Sequence, residues 1–423
     1  MGRSVCHYVL GFELNFSLHE ISKRTTYNFD GFSVCNNGYI DISVIHYTVS
    51  GVDPDFLVLF TTLAEQESVS KPLLLFDLHL ALIDNVNRNT YKDDEKDEEE
   101  DGKPSRELAL ELLVVLLSHA SLEQLDPALF LPWLESNDLL LVSMGYLILG
   151  NFATSDTNIN TLISGHVIDL FFNNLNLENE RVHHSLLGCL RNCCINVKTR
   201  EILLGRHLVS KMVDMAGKSI STGIMLKIVA ILRLLSQNNE DVSTKIGTDS
   251  VFVGKVVSIG RNGTEFSSTL GQLNVEAARL FSSLITSSKS EVVSSTLVEA
   301  GVLPFILSLL SSGHPIMLNQ AILPLCILSM YSPLQPNLVL SLPPEIFDKI
   351  SNLIENQIVP NEIKFNALNL LENLGNHKNE QVLKNMRESD LKRCIAVFKE
   401  ELEKIRETVT REMAQIDYLL SLL

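Results

Sequence analysis

Three cysteines and two histidines sit close together: Cys189, Cys193 and Cys194 in LLGCLRNCCI follow His183 and His184. Thiolate and imidazole at short spacing is zinc chemistry. On a helix, however, Cys189 and Cys193 face one way and Cys194 another, and unpaired cysteine is among the most buried residue types. A core role is therefore expected, and no metal is assigned. The seven cysteines are an odd number and lie mostly in apolar stretches, which suits a reducing compartment. The sequence contains no P-loop, no HExxH and no Ser-His-Asp arrangement. The chain reads as a binding protein without a reaction of its own, and no cofactor is expected.

The remaining chemistry is that of charge. The 423 residues carry a net charge of −17. Asp93, Asp94, Glu95, Asp97, Glu98, Glu99, Glu100 and Asp101, interrupted only by Lys96, account for −7 of it and leave −10 elsewhere. Phosphate backbones need clustered Lys and Arg, so nucleic acid is excluded as the expected partner and basic protein segments are favoured. The acidic run reads as a solvated loop between helices, and such a loop can also gather a cationic tail. No apolar run reaches the roughly 18 residues of a membrane helix. The opening MGRSVCHYVLGFELNF lacks a long apolar region and holds Glu13, so no secretory signal is expected. Met1-Gly2 suits a myristoylation start, but Cys6 stands where Ser or Thr belongs. A cytoplasmic, cytosolic location is the expectation.

The elements that position these residues form a repeat. SSTLVEAGVLPFILSLLSSGHPIMLNQAILPLCILSMYS, residues 294–332, shows it most clearly: a short helix, a glycine, a second helix, a polar break and a closing helix. Leu303, Phe305, Ile306 and Leu309 fall at helical spacing, as do Met317, Ile322, Leu325 and Leu328. Closing motifs recur at Asn151, Asn192, Leu234, Ser283, Ile327 and Asn373, at intervals of 41, 42, 49, 44 and 46 residues. That period predicts an all-α, right-handed armadillo-type solenoid, whose units must stack because none buries its apolar face alone. Gly165, Gly205, Gly247 and Gly301 are expected at sharp turns that need a positive φ.

The reading divides the chain into a non-repeat segment, 1–52, containing the strand-like YIDISVIHYTV, then a helical pair over 53–91 and the acidic loop at 92–106. Armadillo repeats fill 107–384 and a long amphipathic helix 385–423. In that last segment Leu391, Ile395, Phe398, Leu402, Ile405 and Val409, then Ile416, Leu420 and Leu423, form one apolar seam about thirty residues long. It serves as a cap on the last unit, as a coiled-coil homodimer element, or folded back over the groove.

Several words of the sequence carry polar residues that a generic armadillo helix does not need: GNFATSD, LLGCLRNCCI, MLKIVAILRLL, SSKSEVV with EAG, PIMLNQAILPLCIL and EIKFNALNLL. In these the chain resembles the small-G-protein dissociation stimulators (SmgGDS), armadillo regulators of Ras-, Rho- and Rap-type GTPases, from about Leu139 to Gly375. The resemblance implies binding to small GTPases with polybasic, prenylated tails, weak stimulation of nucleotide release and an escorting, chaperone role. It carries a family asparagine associated with GTPase contact onto Asn151; where the family has a second one, this chain has Ser155. Arg191, Asn192, Lys227, Arg233, Asn319 and Asn366 also match family words, and their partner-facing roles follow from the expectation that closing helices line the concave face. The alternative for such asparagines, Asn373 included, is an internal ladder tying helices together.

Two rivals are an importin-like carrier, which needs repeated groove tryptophans where this chain has only Trp133, and a generic armadillo scaffold without exchange activity.

Overall fold

The computed structural model describes residues 54–75, 78–89, 105–119, 126–163, 167–260, 268–311, 314–330, 342–405 and 410–423. Among them every regular element is helical and no strand occurs. The strand-like 39–49 segment, the acidic run 93–101 and Gly165 lie outside the described residues. Contacts divide the chain into two units, 1–176 and 177–423.

The first unit holds α1 (Pro54–Ala64), α2 (Glu67–Leu75), α3 (Leu78–Asn89) and α4 (Ser105–Ser118). A 3-10 turn (Pro127–Phe130) then runs into α5 (Leu131–Leu134), followed by α6 (Leu139–Phe152), α7 (Asp156–Ile163) and α8 (Val167–Asn174). Where the sequence suggests a helical pair over 53–91 there are three helices, because the Gln66 amide turns back onto the Leu63 carbonyl at 3.1 Å and breaks the stripe. Helix α4 is central, packing on α1, α3 and α6. Trp133 is core, its indole donating to Asn87 Oδ1 at 2.9 Å. Buried Asn174 donates to both the Leu134 carbonyl and Tyr146 Oη at 2.9 Å, so the polar amide costs little in the apolar interior.

The second unit repeats a short, short, long beat. It runs through α9 (Glu180–Cys193), α10 (Val197–Leu204), α11 (Leu208–Lys218), α12 (Thr222–Ser236), α13 (Glu240–Gly247), α14 (Ser250–Gly260) and α15 (Thr269–Ser288). After these come α16 (Glu291–Glu299), α17 (Val302–Leu309), α18 (Pro315–Met330), α19 (Glu345–Glu355), α20 (Asn361–Asn376), α21 (Glu380–Glu388), α22 (Leu391–Ile405) and α23 (Thr410–Leu422). The closing helices α9, α12, α15, α18, α20 and α23 pack each on the next, which makes the solenoid's spine. Unit starts are fixed by side-chain caps: Asn196, Asn239, Ser290 and Asn379 accept from the amides of Thr199, Val242, Val293 and Val382. Each satisfies an amide that would otherwise be orphaned at a helix start.

Of the recurring glycines among the described residues, only Gly301 has a positive φ, at 83°. Gly205 sits at an ordinary φ of −60°, and the neighbouring left-handed position is filled by His207 at 59°. Gly247 answers to space instead. A Cβ there would stand 2.5 Å from Val293 Cγ1, where α13 meets α16.

The C-terminal segment also differs from the single helix that its stripe suggests. Helices α22 and α23 pack on each other, α22 on α19 and α23 on α20, completing a three-helix unit with α21. The apolar residues explain the fold-back: Ile395, Phe398 and Leu402 on α22 and Ile416 and Leu419 on α23 are all buried within the chain. A straight helix would carry the last two past the row. Leu391 at the head of the seam is buried as well, Leu420 and Leu423 are half-buried, and Val409 lies outside the described residues.

Candidate functional site

The closing helices of the second unit carry polar side chains that meet from unit to unit. Lys227 Nζ on α12 donates to the His184 carbonyl of α9 at 2.7 Å. Arg233 Nε donates to Glu276 Oε2 on α15 at 2.7 Å, and Arg279 reaches the other carboxylate oxygen at 3.1 Å. The Ser236 and Ser283 hydroxyls are 2.9 Å apart. Farther along, Asn366 Nδ2 donates to Asn319 Oδ1 at 3.1 Å and Asn373 Nδ2 to Ser329 Oγ at 3.2 Å. Gln415 on α23 continues the file to Asn369, and Tyr418 Oη to Asn376 at 2.7 Å.

This arrangement sorts the sequence candidates. Asn319 and Asn366 hold each other, Arg233 belongs to a largely buried ion pair, and Lys227 is tied to a backbone carbonyl. Ser155 is a helix cap: its hydroxyl accepts from the Asn158 amide at 3.2 Å at the start of α7. Asn192 is half-buried on α9. Asn151, at the end of α6 in the first unit, is half-buried, and Arg191, at the end of α9, is exposed. Neither makes a side-chain hydrogen bond or ion pair among the described residues. Of the sequence candidates on the described closing helices, these two are the ones left unbonded. The acidic residues Asp93 to Asp101 lie outside the described residues.

Electrostatics marks one spot. Burial and then the neighbouring Arg191 charge lower the Lys227 amine to about 8. Burial, followed by Lys227, also lowers the His184 imidazole. Both shifts disfavour more positive charge at one place.

The cysteines take no part in this. Cys189, Cys193 and Cys194 are buried, and His184 is exposed on the same helix. The Cys193 hydrogen bond and burial push the Cys189 thiol up, and burial does the same to Cys194. Burial raises Cys326 to about 12. Such thiols are inert. Among the described residues no group of three His, Cys, Asp or Glu side chains could hold a metal ion.

Sequence reasoning missed a second set of cross-unit ties. Lys255 Nζ on α14 donates to the Gly217 and Ser219 carbonyls at 2.7 and 2.8 Å, capping the C-terminus of α11. Lys349 on α19 reaches Ser311 at 2.9 Å beside α17. The signal was a lysine on the middle helix about forty residues beyond the helix end it serves, and it is faint without coordinates.

The fold is that of an all-α armadillo-type solenoid. An engineered protein of known structure superposes with a TM-score of 0.59 over 90% of this chain at 15% identity. A designed armadillo repeat protein does so with a TM-score of 0.50 over 59% at 16% identity. No family model matches the chain.

Sequence relatives are more specific. The Rap1 GTPase-GDP dissociation stimulators 1-A and 1-B of Xenopus laevis are 27% and 26% identical over 276 residues, 62% of this chain and 44% of each relative. The GTPase-GDP dissociation stimulator vimar of Drosophila melanogaster is 20% identical over 400 residues, 85% of this chain and 60% of that one. The chain thus spans about half the length of the curated relatives it matches. They bear out the resemblance to the small-G-protein dissociation stimulators. No single described helix is long and apolar enough to cross a membrane.

Proposed function

We propose that this chain binds Ras-, Rho- or Rap-type small GTPases in the cytosol through its closing-helix row. In this reading it stimulates release of their nucleotide and escorts those with polybasic, prenylated tails. The observation that supports this is the run of 276 residues shared with relatives named as GTPase-GDP dissociation stimulators. The unbonded Asn151 amide falls in the family word GNFATSD and supplies a contact point. No acid, base or nucleophile is required. A protein that prefers the nucleotide-free GTPase lowers nucleotide affinity by the same factor, because the two bindings are linked. The acidic run from Asp93 to Asp101 supplies long-range attraction for a cationic tail, and acts mainly on association rate.

The test is affinity for purified GTPases in two forms, nucleotide-free and GDP-loaded. Tighter capture of the nucleotide-free form of at least one polybasic GTPase is expected. Equal affinity for both forms throughout a Ras, Rho and Rap panel would remove exchange stimulation, and no binding at all would leave the scaffold reading.

A further inference from the structure

The closing-helix row changes sign along the second unit. Helices α9, α12 and α15 carry Arg181, Arg191, Lys227, Arg233 and Arg279 against Glu180 and Glu276. Helices α20 and α23 carry Glu362, Glu372, Glu412 and Asp417 against Lys364 and Arg411. A cationic stretch therefore sits within a chain of net charge −17. Glu276 is already shared by Arg233 and Arg279. Arg191 is exposed with no ion pair or side-chain hydrogen bond among the described residues. Lys227 spends one proton on the His184 carbonyl at 2.7 Å and keeps two. Gly188, less than one turn before Arg191, lies under the ammonium: a Cβ there would stand 3.7 Å from Nζ.

We infer that Arg191 and Lys227 receive a carboxylate-bearing segment of a protein partner, which seats its acidic side across α9 and α12. The inference rests on reading the closing-helix row as the partner-facing surface and deepens it, since the partner's chemistry at this spot is the opposite of a polybasic tail. A guanidinium offers a carboxylate a two-pronged contact. A half-buried ammonium beside another cation gains more from a counter-charge than an exposed one.

A fluorescein-labelled hexaglutamate peptide, titrated against the full chain and followed by anisotropy, is the direct probe. Saturable binding that weakens with added salt is expected. Arg191→Glu lowers the affinity about tenfold, and Arg411→Glu, the same charge change on α23, leaves it within about twofold. Arg191 is exposed, so its variant keeps the parent's thermal midpoint. No hexaglutamate binding, or equal losses in the two variants, would overturn the inference. So would binding of inorganic phosphate or phosphatidylserine vesicles that depends on Arg191 while the peptide does not bind. If the GTPase panel fails but peptide binding depends on Arg191, the partner class is wrong and this site stands. If a GTPase binds equally well to Arg191→Glu and the peptide does not bind, this inference fails alone.

Discussion

Glu276 is expected to matter more to the fold than the arginine that pairs with it. Its side chain is 9% exposed and serves Arg233, itself 16% exposed, and Arg279, which is 40% exposed. Replacing Arg233 by Met removes one charge-assisted hydrogen bond, while Glu276 keeps Arg279. The cost is about 1.5 kcal/mol. Replacing Glu276 by Leu leaves the poorly solvated Arg233 guanidinium without its counter-charge and facing a second cation. Breaking a buried pair from one side costs about 3 kcal/mol or more. The double variant leaves only Arg279, which can turn to water, so it costs less than Glu276→Leu alone. Because a solenoid opens unit by unit, a single global midpoint is a poor gauge. Amide hydrogen exchange on peptides from α12 and α15 reads the local opening free energy directly. If Arg233→Met destabilises these helices as much as Glu276→Leu, or if the double variant is the worst of the three, the shared carboxylate is not what holds this junction.

Three further outcomes are expected. Asn151→Ala weakens GTPase binding without moving the thermal midpoint, because the amide holds no other group; a fall in the midpoint would mean that it supports the fold. Ser155→Ala loses the cap of α7 and costs about 1 kcal/mol, seen as faster exchange of the first amides of that helix. Lys255→Met uncovers two carbonyls at the end of α11 and lowers the local opening free energy there by about 1–2 kcal/mol, read from amide hydrogen exchange on peptides from α11. Unchanged exchange would show that water replaces the ammonium at no cost.

Much of the fold was legible because a repeat advertises itself. The forty-residue period and the closing words at Asn192, Leu234, Ser283, Ile327 and Asn373 all fall on the helices that pack into the spine. What the pattern concealed were facts of three dimensions. Gly247 looks like a turn glycine and is in fact a contact glycine under Val293, which no local rule distinguishes. The stripe from Leu391 to Leu423 reads as one seam, yet two neighbours, α19 and α20, divide it between them. The candidate site was less legible. A polar residue on a closing helix has the same periodicity whether its side chain is unbonded among the described residues, as in Arg191, or consumed internally, as in Asn319 with Asn366. Only the coordinates separate the two.

The central claim is that this chain lowers the affinity of a small GTPase for its nucleotide. It is tested most directly by the rate at which fluorescent GDP leaves a polybasic Rho- or Rap-type GTPase with the full chain added in stoichiometric amount. The account predicts acceleration that saturates with chain concentration and weakens in Asn151→Ala. A release rate that stays at its intrinsic value for every Ras, Rho and Rap protein tried, at concentrations where binding is complete, would contradict it.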